Sequence, residues 1–126
     1  MIFYNPPDSD TVKKNTTKYS EANITWLFND WYDGEIEGMI VLNNKKYWAF
    51  WFDEDEKQRR QFIILDIGKD RINYEEYWEN LSKLCFGPGG DWKGAANKFF
   101  WGRKKKDYKD LDITKYPVIG WFEWGR

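Results

Sequence analysis

The sequence predicts an α+β fold: an antiparallel meander of four to five strands with one main helix, over about 73–86, packed on one face of the sheet. Three observations lead there. Between residues 24 and 67, runs rich in β-branched and aromatic side chains are separated by Asp33-Gly34, Asn43-Asn44 and a charged loop. From Tyr74 to Cys85 the apolar residues recur at steps of three and four. PVIGWFEW, after a long polar stretch, alternates again like a strand.

Each element has a local reason. Residues 5–22 hold Val12 and Tyr19 as their only sizeable apolar side chains after Pro6-Pro7, so they read as a polar N-terminal arm or loop. ITWLFNDW forms the first strand, which Asp33-Gly34 turns. EIEGMIVL and KKYWAFWF follow as a hairpin around Asn43-Asn44. DEDEKQRR is a solvated loop, and RRQFIILDI is a further strand ended by Gly68. Asn73 with Glu76 resembles a capping box, with Glu75 and Glu76 near the positive end of the helix dipole. Behind it, Tyr74, Tyr77, Trp78, Leu81, Leu84 and Cys85 form one stripe, and Gly87-Pro88 stops the helix. WKGAANKFFW, capped by Asp91, fits a short second helix over about 92–101.

The strand pattern adds a requirement. In YWAFWF, Trp48, Phe50 and Phe52 point one way while Tyr47, Ala49 and Trp51 point the other, and QFIILDI is likewise apolar on both sides. A helix about 10 Å wide covers only part of one face of such a sheet. The other face needs a cover: the N-terminal arm with residues 92–101, a second copy of the chain, or a different protein.

Size and composition bound the function. A chain of 126 residues is expected to form a single domain over 1–126. With 20 Lys and Arg against 21 Asp and Glu, no overall field drives it onto nucleic acid or an anionic membrane. MIFYNPP lacks a basic leader and no apolar run reaches membrane-spanning length, while the single cysteine, Cys85, suits a reducing compartment; the expected setting is cytoplasmic. The absence of histidine removes the Ser-His-Asp and Cys-His mechanisms and histidine-containing metal sites. No nucleotide-binding fingerprint is present, so no cofactor and no metal is expected.

Four stretches carry candidate chemistry. DWYDGEIEG sets Asp30, Asp33, Glu35 and Glu37 beside Trp31 and Tyr32. On a regular strand Glu35 and Glu37 would share a face roughly 7 Å apart, like paired glycosidase carboxylates, yet Asp-Gly is first of all a hairpin signal. The stretch reads as a turn, then as a binding edge, and last as an active site. DEDEK contains an acid-x-Lys triplet of the kind metal-dependent nucleases use, but in a loop rather than on rigid elements. Lys98, Phe99, Phe100, Trp101, Arg103, Lys104, Lys105 and Lys106 interleave rings with cations and offer the one local signal for single-stranded nucleic acid, diluted by Asp107, Asp110 and Asp112. GPGGD reads as a turn, because Asp91 would repel a phosphate.

The aromatic excess remains. Phe, Tyr and Trp make up 21% of the chain, with nine tryptophans, and such rings are enriched at protein interfaces. The leading expectation is a small protein-binding module, of inhibitor or immunity type, using an aromatic surface with an acidic rim at Asp30–Glu37 and 53–56, or self-associating through the sheet face. A ligand- or nucleic-acid-binding domain with an aromatic cleft is the second, and a carboxylate-dependent enzyme the third. Non-enzymatic behaviour is testable: incubation with magnesium or manganese and DNA, RNA or common glycans should leave each substrate intact. Cleavage abolished by changing Glu35, Glu37 or Asp55 would overturn it.

Overall fold

The computed structural model describes residues 8–31, 35–86 and 115–125. Along the chain these form α1 (Ser9–Asn15), β1 (Thr17–Tyr19), a 3-10 turn (Glu21–Asn23), β2 (Thr25–Trp31), β3 (Glu35–Leu42), β4 (Lys45–Glu54), β5 (Arg60–Leu65), α2 (Gly68–Phe86) and β6 (Val118–Trp124). Two compact units result: residues 1–68 with 113–126, which hold the sheet and α1, and residues 69–112, which hold nearly all of α2.

The fold is α+β, with a six-stranded sheet in the order β1-β6-β5-β4-β3-β2. From β2 to β5 it is an antiparallel meander; β6 adds antiparallel to β5, and β1 joins β6 in parallel. Asn43 and Asn44 make the β3–β4 turn with φ of 52° and 62°, the left-handed pair that matches strand twist. The sixth strand comes from the segment that reads as an arm. Asp8 caps α1 by accepting from the Thr11 amide at 2.9 Å, and Tyr19 sits opposite Phe122 on β6. A three-residue strand leaves too short a pattern to register in sequence.

The sheet curls strongly. β1 and β2 are its two outermost strands, which a flat sheet would hold about 24 Å apart. Only Ser20 to Ile24 join them, and with a 3-10 turn inside that link its reach is about 16 Å. The rings report the same curvature. Trp26 on β2 lies 5.3 Å from Phe62 on β5 and 5.9 Å from Trp124 on β6, centroid to centroid. On a flat sheet those strands would be about 14 and 19 Å away. The ladder runs from Trp26 to Ile40 and Tyr47, beside the Trp48–Leu65–Val118 row at the start of β6, whereas the ring of Trp26 meets Trp124 at the far end of that strand. That offset is the stagger of a sheet rolling toward a barrel.

Ile24, Ile40, Leu42, Ala49, Phe62, Ile64 and Phe122 fill the inside of the roll, with Tyr19, Trp26, Tyr47, Trp51, Ile119 and Trp124 packed around them. Phe62 and Phe122 stack at 5.2 Å, and Trp26 meets both edge-on. Two glycines permit the geometry. A Cβ on Gly120 would lie 2.5 Å from the Tyr19 ring, and one on Gly38 would lie 2.5 Å from Asn29 Cα on the neighbouring strand. Leu27, opposite no residue of β3, makes a bulge in β2 and stays 41% exposed.

The alternation expected in β4 is present: Tyr47, Ala49 and Trp51 face the inside, while Phe52, at a second bulge, meets Trp121 on the outside. α1 packs beside β6, its Val12 fully buried and its Lys13 ammonium 5.6 Å from the Trp121 ring centre.

α2 departs from expectation at its start. It begins at Gly68, which has φ of +79° and whose amide donates to Asp66 Oδ1 at 3.1 Å, so Asn73 and Glu76 lie inside the helix rather than at its cap. Arg71 and Glu75, paired at 2.8 Å one turn apart, support the added turn. Among the described side chains of α2, Ile72, Glu75 and Trp78 are buried, and Tyr77 is 61% exposed rather than part of the apolar stripe. The side chains of Leu81, Leu84 and Cys85, and the expected helix over about 92–101, lie outside the described residues.

Trp26→Ala removes the ring that bridges β2 to β5 and β6 and should cost at least about 2 kcal/mol, whereas Leu27→Ser should stay within about 0.5 kcal/mol. Denaturant midpoints check both. A wild-type midpoint for Trp26→Ala would contradict the closure of the sheet described above.

Candidate functional site

A meander puts alternate turns at the same end of a sheet. Here the end of β2, the start of β3 and the β4–β5 loop (Asp55–Arg59) share one end, together with the C-terminal end of β6 and the 3-10 turn after β1.

Of the expected site residues, Asp30 and Trp31 end β2, and Glu35 and Glu37 lie at the start of β3. Asp30 is opposite Glu37 and Trp31 opposite Glu35, with a register shift between the two pairs. The unbroken two-residue alternation that would place Glu35 and Glu37 on one face is therefore absent. Glu37 is also committed: its Oε2 accepts from Trp48 Nε1 at 3.1 Å, across the β3–β4 ladder. Tyr32 and Asp33 lie outside the described residues, as do Lys98, Phe99, Phe100, Trp101, Arg103, Lys104, Lys105 and Lys106.

The β4–β5 loop is built around Asp55. Its Oδ1 accepts from the amides of Lys57 and Arg59 at 2.9 and 2.8 Å, while its own amide donates to the Arg59 carbonyl at 2.9 Å. Gln58 takes a φ of +62° to complete the turn. Partial desolvation raises the pKa of Asp55, but the amides of Arg59 and Lys57 and the Arg59 charge together carry it below the usual value. Asp53 is lowered as well, by the Ser9 hydroxyl and then the Glu54 amide, with Lys13 adding its charge.

Arg59 ties this loop to the rest of the end. Its Nη2 reaches Glu21 Oε2 at 2.9 Å, and the same carboxylate oxygen accepts from the Gly125 amide at 2.9 Å. One carboxylate thus joins the 3-10 turn, the β4–β5 loop and the end of β6. On the outer face, Asp53, Gln61 and Glu123 stand in a row across β4, β5 and β6. Lys13 pairs with Asp53 and Lys18 with Glu123, and both ammonium groups lie over Trp121.

Two open clefts flank Arg59. One, of about 430 Å³, is lined by Lys18, Tyr19, Ser20, Glu21, Arg59 and Glu123. The other, of about 510 Å³, is lined by Lys13, Glu54, Asp55, Glu56, Lys57, Arg59 and Gln61. Asp53 and Asp55 of the acid-x-Lys stretch serve an ion pair and a loop, and no metal-ligating group of three acids or cysteines forms among the described residues. Sequence reasoning passed over Glu21, Arg59, Gln61 and Glu123. The available signal was Gln61, a lone polar residue against the FIIL run. No family model, no curated protein and no solved structure matches this chain.

A carboxylate with a lowered folded pKa contributes stability above its unfolded value and loses it as pH falls through the folded one. Protection factors of the Lys57 and Arg59 amides, taken against the intrinsic exchange rate at each pH, should therefore fall below about pH 4, and in Asp55→Ala they should already be low at neutral pH. Hydrogen-exchange NMR reads both; unchanged protection of these amides in Asp55→Ala would refute the assigned role.

Proposed function

We propose that this protein is a small binding module, of inhibitor or immunity type, which engages a basic protein partner through the acidic end of its sheet. The observation that carries the reading is that the end of β2 and the start of β3 lie at the same end of the sheet as the β4–β5 loop with its exposed Glu54 and Glu56. Glu54 and Glu56 are exposed there and carry no ion pair among the described residues; of the nearby cations, Lys13, Lys18 and Arg59 are each held by a carboxylate, Lys57 is exposed in the same loop, and Arg60 stands opposite Glu54 on β5. Acids placed this way steer a basic partner and make its association salt-dependent. Trp31, at the end of β2, is the proposed aromatic anchor.

The packing of the tryptophans supports a protein partner over a small ligand. Trp26, Trp51 and Trp124 pack around the filled interior of the sheet instead of lining an open cleft. Among the described residues only Leu27 and Tyr77 are large exposed apolar side chains, so recognition in this reading is led by charge. No described helix is long and apolar enough to cross a membrane, and the single cysteine suits a cytoplasmic setting.

An affinity capture from native lysate, with and without nuclease, tests the reading with wild-type protein and the Glu54→Gln/Glu56→Gln variant. A nuclease-resistant basic protein should be retained at low salt, released at high salt, and bound several-fold more weakly by the variant at an unchanged melting temperature. Capture that depends on nucleic acid, or a variant that binds equally well, would overturn it.

A further inference from the structure

β1 is a three-residue strand at the outer edge of the sheet, paired in parallel with β6 through Thr17, Lys18 and Tyr19, and α1 ahead of it has seven residues. So short a helix and so short a parallel ladder add little stability of their own. Side chains fasten the segment 8–19 instead: Val12 is fully buried, Tyr19 packs on the core beside Gly120, and Lys13 and Lys18 pair with Asp53 and Glu123 while lying over Trp121. Ion pairs open to solvent contribute little. Behind the segment, Glu21 is fixed by Arg59 and the Gly125 amide, which gives it an anchored pivot.

The same segment shows what the edge of β6 can hold. Lys18 and Tyr19, neighbours on β1, point to opposite faces: the ammonium meets Glu123 over Trp121 outside, and the ring lies inside, against the space that Gly120 leaves. A basic, aromatic strand is thus already bound there in cis. From these features we infer that α1 and β1 form a displaceable strap, and that an extended segment of the basic partner protein takes their place on β6, with its cations over Trp121 between Asp53 and Glu123 and an aromatic ring against Gly120. This rests on the reading of the protein as a binder of a basic partner. Strand addition supplies main-chain hydrogen bonds, and side chains on alternate faces supply selectivity. Because only molecules with the strap open can bind, the closed strap lowers the apparent affinity, and loosening it raises that affinity.

The test uses the full chain, with a synthetic peptide of its own residues 8–20 as probe and the same peptide carrying Lys13→Glu and Lys18→Glu as control, read by NMR of the backbone amides and the Trp121 indole. The probe should shift Val118–Trp124 saturably and the control should not. Val12→Ser in the chain, which loosens the strap, should tighten probe binding about tenfold. Lys18→Gln, at an exposed position, should act in the same direction and keeps the test decisive if Val12→Ser does not fold. In the wild type, hydrogen exchange should show the amides of Thr16 and β1 opening well before those of β4 and β5. Equal protection of β1 and β4, or probe binding that both variants leave unchanged, would overturn the strap. Sedimentation showing the wild type dimerised by exchange of its own arm would overturn the partner as occupant. A basic partner captured equally well by wild type and Val12→Ser would overturn the strap and leave the broader reading standing. Probe binding at β6 that Val12→Ser tightens, without any captured basic partner, would support the strap and count against that broader reading.

Discussion

The closure of the sheet on itself is the constraint on which the rest depends. β1 and β2 are its outermost strands, yet Ser20 to Ile24 must connect them. A flat sheet cannot satisfy so short a link, and a rolled one can. Rolling in turn creates an inside, in which Phe62, Phe122, Ile40 and Ile64 are wholly buried. Trp26 holds the roll by packing against β5 and β6, although its Nε1 is buried without an acceptor. The dispersion and burial of a large ring offset that loss. Glycine at positions 38 and 120 keeps side chains out of the two places where backbone or a ring approaches too closely for one.

The acidic end inherits its construction from the roll. Because the link after β1 is carried round with the sheet, Glu21 comes within reach of Arg59 from the β4–β5 loop and the Gly125 amide beyond β6. A carboxylate with two such donors fixes three segments that are far apart in sequence. An exposed ion pair alone contributes little, but shared with a backbone amide it defines a position. The loop that carries Glu54 and Glu56 is thereby held at both ends, by Asp55 inside it and by Arg59 at its exit. Charged side chains on such a loop lose less freedom on meeting a partner than they would on a loose one.

What the sequence disclosed follows from the length of the pattern each element offers. β2 to β5 and β6 were legible because each is a run rich in β-branched and aromatic residues bounded by turn or loop signals, and the Asn43-Asn44 turn because its chemistry is local. β1 has three residues and one inward ring, Tyr19, too little to distinguish from loop. The start of α2 was hidden because Asn73 and Glu76 imitate a cap, whereas Asp66 and Gly68 organise the actual one. At the functional end the acids of 53–56 were visible as composition. Their partners were not, since Glu21, Arg59, Gln61 and Glu123 come together only through strand order and curl. Likewise, the expected alignment of Glu35 with Glu37 assumed a regular strand, and the register shift there is a property of the pairing.

The aromatic content takes on a different meaning in this geometry. Rings in excess of a small core's needs suggest an interface, but a rolled sheet has to fill its interior and cover its rim with side chains from the strands themselves. Broad, flat residues do this with few positions, and the edge-to-face contacts of Trp26 with Phe62, Phe122 and Trp124 are the favourable arrangement for such rings. Even the cations participate: Arg60 lies 4.1 Å from the centre of the Trp51 ring, and Lys13 and Lys18 lie over Trp121. The rings seen here are thus largely committed to the fold. At the end of the sheet that carries the β4–β5 loop the exposed side chains include Glu54 and Glu56, so the binding proposed there is led by charge, with Trp31 as its proposed aromatic anchor.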